Sequence, residues 1–333
     1  METRCQIHLQ IKKFEMPMQN DGYTFKRSDN VVRTPVRYKN RFGILIAADL
    51  YYARDIDKTK QHVGLVIGPP HGGIKEQSPG VYGQDMAKRG FVALAFDPSH
   101  NGESGGEQRY ISSPEIFAED FSAGVDYLGT LPFVSRSRIG AIGICASGGF
   151  ALSAAQVDTR IRAVATSAMY EISRLSRNGW QDSLDNEGRR KQLDQSATQR
   201  WLDVDIGNQA LTPVFPETIP ANLDPITSEF FEYYVTDRGR HPRSIGGFTL
   251  SSFMSHINFG QLRSIADIAP RPILIITGEH AHSRYFSETI MSQAKGNAEL
   301  HVVSGARHID LYDRVDLIPF GKLEEFFDKS LSR

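Results

Sequence analysis

Residues 138–149 read "RIGAIGICASGG", and this stretch decides the fold. The run "RIGAIGI" (138–144) is typical of a short strand buried on both faces. The residues that follow, "SGGFALSAAQV" (147–157), predict a helix of small residues. The turn between strand and helix carries Cys145, two positions after Gly143. A tight strand–turn–helix of this kind lifts its central side chain above the edge of a sheet, where the side chain can act as a nucleophile.

The same rhythm of apolar run and helical pattern continues on both sides of this turn. We predict further strands over residues 62–68, 91–97, 161–169, 271–278 and 298–305, and helices over residues 80–90, 113–131, 284–295 and 315–331. Strands that alternate with helices predict an α/β fold with a mostly parallel sheet flanked by helices. The alternating pattern of residues 30–53 around Lys39 and Asn40 predicts a hairpin that adds antiparallel strands at one edge.

Two segments fall outside this rhythm. Residues 1–29 are polar and irregular, and we interpret them as an N-terminal lead-in to a single domain at 30–333. The stretch from about 170 to 265 is rich in charged residues and proline. Because a bare loop of that length is uncommon in a compact domain, we predict a helical insertion or lid.

Composition excludes several classes of function. The net charge of −1 gives no electrostatic reason to bind nucleic acid or an anionic membrane surface. Only Cys5 and Cys145 occur, and a lone pair does not make a disulfide framework. The N-terminal residues show neither a secretory signal nor a membrane span. We therefore expect a cytoplasmic protein that acts on a small molecule, with its oligomeric state left open.

The turn at Cys145 has two interpretations. A cysteine at a helix N-terminus is favoured as a thiolate, and the backbone N–H of Ala146 would then donate to an oxyanion. A second donor is expected from the glycine-rich loop "GPPHGGIKEQ" (68–77), where Gly72 and Gly73 are candidates and Gly73 is preferred. The alternative is a structural cysteine in a glycine-rich turn.

A general base and an acid are expected after the last strands. His308 lies in "SGARHIDLYD" (304–313), which follows the last predicted strand, and it suits the base because the order is nucleophile, acid, base. The acid should follow the strand at 271–278, where "GEHAHSR" offers Glu279. Glu171, after the strand at 161–169, is the alternative.

Metal and cofactor sites are not indicated. His280 and His282 form an H-x-H pair, but no third ligand stands at a familiar metal spacing, so we predict no metal and no cofactor. Asp97 ends a predicted strand at the carboxyl edge of the sheet. It either shapes a ligand pocket or bonds the amides of its own turn.

Together these residues resemble the α/β-hydrolase superfamily, and more narrowly its dienelactone hydrolase-like branch, which relates to Xaa-Pro dipeptidyl-peptidase-type domains and fungal polyketide transferases. The resemblance covers about residues 34–333 and runs through "YKNRFGILIAADLY", "RIGAIGICASGGFALSAAQVDTRIRAVATSAMYE" and "ARHIDLYDR". It implies an α/β-hydrolase fold and acyl-transfer chemistry, with Cys145 as nucleophile and His308 as base. Ser147 stands where the family has glycine, and "GEHAHSR" lacks the family's aspartate.

Three functions follow from this interpretation. We expect a hydrolase that cleaves an ester, lactone or thioester through an acyl-enzyme on Cys145, with Glu279 orienting the imidazole of His308. An acyltransferase would use the same site with an alcohol or amine in place of water. A ligand-binding module without catalysis would use the fold alone.

Overall fold

An eight-stranded sheet forms the centre of the chain in a computed structural model that describes residues 22–331. The strands are β1 (Val31–Lys39), β2 (Leu45–Ala53), β3 (His62–Gly68), β4 (Val92–Phe96), β5 (Val134–Ile144), β6 (Ile161–Ser167), β7 (Ile273–Gly278) and β8 (Ala298–Val303). Their order across the sheet is β1-β2-β4-β3-β5-β6-β7-β8. The pairs from β4 to β8 are parallel, whereas β1 and β2 run antiparallel to their neighbours. The predicted α/β class with a mostly parallel sheet is therefore confirmed.

The predicted hairpin is β1 paired with β2. Tyr38 lies opposite Ile46 in this pair, and the chain turns through residues 40–44. The side chain of Asn40 stabilises the turn, because its oxygen accepts the N–H groups of Phe42 and Ile44 at 3.0 Å. Asn40 also donates to Asp120, which ties the hairpin to the domain.

Six helices accompany the sheet on either side of the insertion within the described residues. They are α1 (Ser78–Lys88), α2 (Pro114–Leu128), α3 (Ala146–Val157), α8 (Arg284–Gln293), α9 (Asp310–Asp313) and α10 (Phe320–Ser330). Strands β3, β4 and β7 are buried along almost their whole length, as their continuous apolar runs predict. Small residues let the helices approach closely: a Cβ at Gly140 of β5 would lie 2.7 Å from the ring of Phe327 in α10.

The chain between β6 and β7 is helical in this structure. It contains α4 (Ile172–Asn178), α5 (Asn186–Ile206), α6 (Pro225–Tyr234) and α7 (Ser252–Asn258). Asp185 and Asp224 begin α5 and α6 as N-caps, because their carboxylates accept backbone N–H groups of the first turn. Hydrogen bonds join this insertion to loops at the carboxyl edge of the sheet. For example, Ser244 Oγ donates to the Gly72 carbonyl, and Gln77 Nε2 donates to the Gly239 carbonyl.

The end of the predicted lead-in packs on the domain. The Tyr23 hydroxyl donates to Asp49 of β2 at 2.5 Å, and Phe25 lies so close to Gly80 of α1 that a Cβ there would be 2.5 Å from its ring. Residues 1–21 of the lead-in lie outside the described residues. No helix within residues 22–331 has the length and apolar character needed to cross a membrane.

Candidate active site

Cys145 occupies the sharp turn between β5 and α3. Its φ of 54° and ψ of −122° are unusual for a residue with a side chain, which marks a strained elbow. Backbone hydrogen bonds hold this conformation: the Cys145 N–H donates to the Ser167 carbonyl, and its own carbonyl accepts from Gly148 and Tyr170, all at 2.9 Å. The elbow therefore fixes the thiol at the carboxyl edge of the sheet.

Glycines explain how the elbow accommodates Ser147. A Cβ at Gly143 would lie 2.1 Å from the Ser147 carbonyl oxygen, so the strand needs glycine at that position. A Cβ at Gly68 of β3 would lie 2.7 Å from Ser147 Oγ, so glycine there leaves room for the serine side chain. Ser147 lies inside the first turn of α3, and Cys145 alone of these two side chains stands at the elbow.

His308 connects to Cys145 through a tyrosine hydroxyl. The imidazole is fully buried between β8 and α9, and its Nε2 lies 3.0 Å from the hydroxyl of Tyr312 in α9. That hydroxyl also hydrogen-bonds the thiol of Cys145. The Nδ1 atom of His308 lies 2.7 Å from Ser283 Oγ. The structure thus brings the predicted nucleophile and the predicted base together in a chain from Ser283 through His308 and Tyr312 to Cys145.

The structure does not bring Glu279 to His308, which corrects its predicted role. The Glu279 carboxylate is exposed, and it accepts hydrogen bonds from Ser304 Oγ at 2.9 Å and from the Gly305 N–H at 2.8 Å. Both ring nitrogens of His308 have other partners. Ser283, which ends the loop after β7, takes the place that the sequence assigned to an acid.

The alternative acid, Glu171, lies just before α4. Neither ring nitrogen of His308 bonds it. Burial raises the pKa of Glu171 to about 7, and the charge of Arg174 opposes this shift. Its carboxylate therefore belongs to the start of the insertion and not to the catalytic chain.

A buried carboxylate of the insertion approaches His282, the neighbour of His308. The ring of His282 stacks on His308, with centroids 4.5 Å apart and planes at 30°. On α6, Glu229 places one carboxylate oxygen 3.4 Å from His282 Nδ1, and the other accepts the Ile309 N–H at 2.7 Å. Glu229 therefore contacts His282 and the backbone after His308, and neither ring nitrogen of His308 bonds it.

Ala146 and His71 are the candidate oxyanion donors in this geometry. The backbone N–H groups of both residues point at the sulfur of Cys145. The predicted donor Gly73 is already engaged, because its N–H donates to the Pro70 carbonyl at 2.9 Å. Gly72, the other predicted candidate, has a φ of +80°, a conformation that favours glycine. The prediction for Ala146 fits this arrangement, whereas His71 replaces Gly73.

Burial controls the protonation of the pair. Burial raises the pKa of the Cys145 thiol to about 11. Hydrogen bonds from Tyr312, His71 and Ala146 lower this pKa, but by less than burial raises it. Burial, with the neighbouring His282, lowers the pKa of His308 well below its ordinary value. The resting state is a neutral thiol and a neutral imidazole. The thiolate expected at a helix N-terminus is not favoured, because desolvation raises the pKa of the thiol by more than the hydrogen bonds to the sulfur lower it.

Asp97 has a structural role in the described region. Its carboxylate accepts the backbone N–H groups of Lys75 at 2.7 Å and Glu103 at 2.8 Å. The ammonium of Lys75 lies between the carboxylates of Asp97, Glu76 and Glu103, at 3.2, 2.5 and 2.8 Å. This buried network braces the loop after β3, which carries His71.

The two histidines of the H-x-H pair, His280 and His282, lie in different environments. His280 is exposed, whereas His282 packs against His308. Among residues 22–331 no three His, Cys, Asp or Glu side chains are grouped in a way that could hold a metal ion.

Three site residues carry only weak signals in the sequence. Tyr312 stands four positions after His308, a spacing that places two side chains on one face of a helix. Ser283 offers a hydroxyl in the loop where only carboxylates were considered. His71 lies beside the glycines that were chosen as donors, and only the conformation of the loop distinguishes them.

No family model matches the chain. The uncharacterized protein PA2218 of Pseudomonas aeruginosa is 47% identical over 311 residues, which are 92% of this chain and 83% of that protein. The crystal structure of PA2218 superposes with a TM-score of 0.90 and 46% identity, covering 95% of this chain and 98% of that one. The uncharacterized protein YcjY of Escherichia coli is 33% identical over 317 residues, 94% of this chain and all (100%) of YcjY.

More distant matches concern the fold and short segments. The alpha/beta hydrolase GrgF from Penicillium has a TM-score of 0.76 at 18% identity, over 91% of this chain and 100% of that one. Thiohydrolase aneE of Aspergillus aculeatus is 38% identical over 77 residues, 23% of this chain and 24% of that protein. Polyketide transferase claH of Penicillium crustosum is 28% identical over 129 residues, 39% and 42% of the two chains. The predicted α/β-hydrolase fold is confirmed.

Proposed function

Because the chain belongs to the family of PA2218 and YcjY and has the α/β-hydrolase fold, we propose that it is a hydrolase that cleaves an ester, lactone or thioester through an acyl-enzyme on Cys145. The observation that carries the proposal is the hydrogen-bonded chain from Cys145 through Tyr312 to His308. It stands at a strained elbow with two backbone N–H groups aimed at the sulfur. A cysteine with a purely structural role would not require a strained elbow, a hydrogen-bonded path to a histidine or backbone N–H groups directed at its sulfur.

In the first half-reaction the sulfur of Cys145 forms a bond to the carbonyl carbon of the substrate. The thiol proton passes to the Tyr312 oxygen while the Tyr312 proton passes to Nε2 of His308, so the tyrosine stays neutral. The carbonyl oxygen becomes an oxyanion, which the N–H groups of Ala146 and His71 stabilise. When the intermediate collapses, the bond to the leaving group breaks and the imidazolium protonates it.

In the second half-reaction water attacks the thioester of Cys145. His308 takes a proton from the water, the same N–H groups hold the second oxyanion, and the carboxylic acid leaves as the C–S bond breaks. The sulfur recovers its proton through Tyr312, which restores the resting chain. Ser283 orients the imidazole throughout, because its hydroxyl lies 2.7 Å from Nδ1.

The neutral resting pair fits general-base catalysis. A thiol with a pKa of about 11 is protonated near neutral pH, so the base must remove its proton as the C–S bond forms. The imidazole is unprotonated under the same conditions because its pKa is lowered. Both partners therefore stand in the protonation state that this step requires.

The proposed nucleophile also supports a narrower assignment of this chain within the α/β-hydrolases. A cysteine in a G-x-C-x-S-G-G turn supports membership in the dienelactone hydrolase-like branch, with Ser147 as a local variation that Gly68 accommodates. A reduced thiol as nucleophile also suits a reducing compartment, which supports the cytoplasm as the site of action.

An acyltransferase is the second candidate. The short fungal matches include a protein named as a polyketide transferase. The thiol is only 4% exposed, and the rings of Tyr170, Tyr234 and Tyr312 lie around it. Such surroundings limit access of water to an acyl group on the sulfur, and this favours transfer to a bound alcohol or amine.

The deciding experiment is intact-protein mass spectrometry after mixing with p-nitrophenyl acetate, with wild type, Cys145→Ala and Ser147→Ala compared. We expect an acetyl adduct or turnover in wild type and Ser147→Ala, and neither in Cys145→Ala. Faster loss of the adduct on addition of an alcohol would identify the acyltransferase. An adduct that survives in Cys145→Ala overturns the proposed nucleophile, and no adduct in any form favours the ligand-binding module.

A further inference from the structure

A cavity of about 560 Å³ lies between the loops that carry His71 and Ser112 and the insertion helices α5 and α7; we call it the insertion cavity. We propose that it binds an uncharged, hydroxyl-bearing acyl group of the substrate. This inference rests on the proposed function for its connection to the reaction. That connection is His71, whose backbone N–H points at the thiol of Cys145 while its ring lines the cavity.

The wall of the insertion cavity carries no formal charge. None of its described lining residues is Asp, Glu, Lys or Arg. Its two histidines are neutral as well, because burial lowers the pKa of His71 to about 3 and that of His256 to about 4. A carboxylate or phosphate in this cavity would lose its hydration without gaining a partner of opposite charge, which is costly. The wall therefore selects against charged ligands.

The same wall is rich in groups that both donate and accept hydrogen bonds. Amide and hydroxyl side chains of α5 and the following segment face the cavity: Gln192, Gln195, Ser196, Gln199 and Thr212. Each of them can bond an alcohol in either direction. The wall thus matches the hydroxyl group, which has the same dual character.

Two histidines joined by a serine strengthen this match. Ser112 Oγ lies 2.7 Å from Nε2 of His71 and 2.7 Å from Nε2 of His256. The serine has one proton, so it donates to one imidazole and accepts from the other. With both rings neutral, one Nδ1 then carries a proton and the other does not. Whichever tautomers are present, the remaining ring nitrogens supply one donor and one acceptor.

Two buried polar atoms in this wall need a partner. Nδ1 of His256 and Oε1 of Gln192 have no hydrogen-bond partner among the described residues, and His256 is only 3% exposed. Unsatisfied buried polar atoms are rare in native structures and call for an explanation. Because both side chains line the cavity, a hydroxyl of the substrate would satisfy either atom once the side chain rotates toward it.

Apolar surface completes the cavity. The ring of Phe248 stacks on His71 with centroids 3.9 Å apart, and Phe253 and Leu250 also line the wall. These residues suit the carbon skeleton of the ligand, while the amides and hydroxyls suit its oxygens. An uncharged aliphatic or cyclic acyl group with hydroxyl substituents fits both.

The test compares three p-nitrophenyl esters of equal chain length: the hexanoate, the ω-hydroxyhexanoate and the adipate monoester, which ends in a carboxylate. We expect kcat/KM for the hydroxyl ester to exceed that for each of the others by about tenfold, or ~1.4 kcal/mol. A hydroxyl ester that is not preferred over both overturns the proposed ligand class. Acylation of Cys145 by all three without preference would leave the hydrolase standing.

A charge placed in the cavity provides the matched variants. Gln192→Lys is expected to raise the ratio of kcat/KM for the carboxylate ester over the hydroxyl ester by about tenfold, because the ammonium supplies the missing counter-charge. Asp194→Lys adds the same side chain to an exposed position of α5 that does not line the cavity. Equal ratios in the two variants would contradict the proposal.

Binding without turnover separates the two proposals. Calorimetric titration of Cys145→Ala with methyl ω-hydroxyhexanoate and with monomethyl adipate makes the same comparison in the absence of chemistry. Tighter binding of the hydroxyl ester is expected even if the p-nitrophenyl esters do not turn over. Equal affinity, or tighter binding of the carboxylate, would overturn the inference whatever becomes of the hydrolase.

Discussion

The hydroxyl of Tyr312 lies 3.0 Å from Nε2 of His308 and also hydrogen-bonds the thiol of Cys145. The proposed base therefore connects to the proposed nucleophile through a third residue. Tyr312 can pass a proton without changing its own charge, which matters because burial raises its pKa well above the ordinary value and disfavours a phenolate. The tyrosine is thus suited to relay a proton and not to store one.

Removal of the Tyr312 hydroxyl tests this relay. Tyr312→Phe breaks the chain between thiol and imidazole, so we expect kcat/KM for p-nitrophenyl acetate to fall about a hundredfold, within the range of acid–base catalysis. The matched control is Tyr233→Phe, which removes a buried hydroxyl from a ring 5.4 Å from that of Tyr312. We expect the control to stay within about twofold of wild type. Wild-type activity in Tyr312→Phe would show that the base reaches the thiol directly.

Ser283 stands where the sequence predicts a carboxylate, and its hydroxyl is the hydrogen-bond partner of His308 Nδ1. Ser283→Ala removes the hydrogen bond to Nδ1, and we expect about a tenfold fall in kcat/KM, as for the loss of one buried hydrogen bond. Ser283→Asp would place a negative charge beside the ring, raise the pKa of His308 and move the acid limb of the kcat/KM profile to higher pH.

Glu279→Gln is the control for both Ser283 variants, because Glu279 bonds Ser304 and Gly305 and not the base. We expect its pH profile to match wild type. A loss in Glu279→Gln as large as that in Ser283→Ala would return Glu279 to the catalytic chain.

The pKa shifts of the resting pair predict its pH dependence. His308 acts as a base only when unprotonated, and its pKa is lowered, so activity should fall only at pH well below 6.5. Alkylation of Cys145 needs the thiolate, and because burial raises the thiol pKa to about 11, its rate should rise with pH up to that value. Mass spectrometry of iodoacetamide adducts across pH measures this rise, with glutathione as an exposed thiol. Half-maximal reactivity near pH 8.5, the ordinary value for cysteine, would contradict the burial effect.

The elements of the fold could be predicted from sequence because their signals are local. The apolar run at 62–68 and the hairpin pattern at 30–53 are contained within the segments that form β3, β1 and β2. The turn at Cys145 and the position of His308 were predictable for the same reason, since each follows a recognisable strand.

The rest of the site depends on contacts between distant segments. Glu229 reaches His282 and the Ile309 N–H from the insertion, and no local pattern indicates that approach. The choice between Glu279 and Ser283 is set by which side chain of one loop turns inward. The direction in which the pKa of the Cys145 thiol shifts could not be predicted from the sequence. A helix N-terminus lowers a thiol pKa whereas desolvation raises it, and only the structure shows that Cys145 is buried.

The buried ammonium of Lys75 should dominate the stability of the loop after β3. It is 2% exposed and contacts three carboxylates, so Lys75→Met leaves buried charges uncompensated, and we expect a loss of about 3–5 kcal/mol in the free energy of unfolding by urea. Arg314→Met is the control: it breaks an exposed ion pair with Asp316, and exposed pairs contribute up to about 1 kcal/mol. Equal losses in both variants would show that the Lys75 network adds no more than a surface pair. Since Asp97 joins this network to the loop of His71, Lys75→Met should also weaken the oxyanion site, and kcat should fall in protein that is still folded.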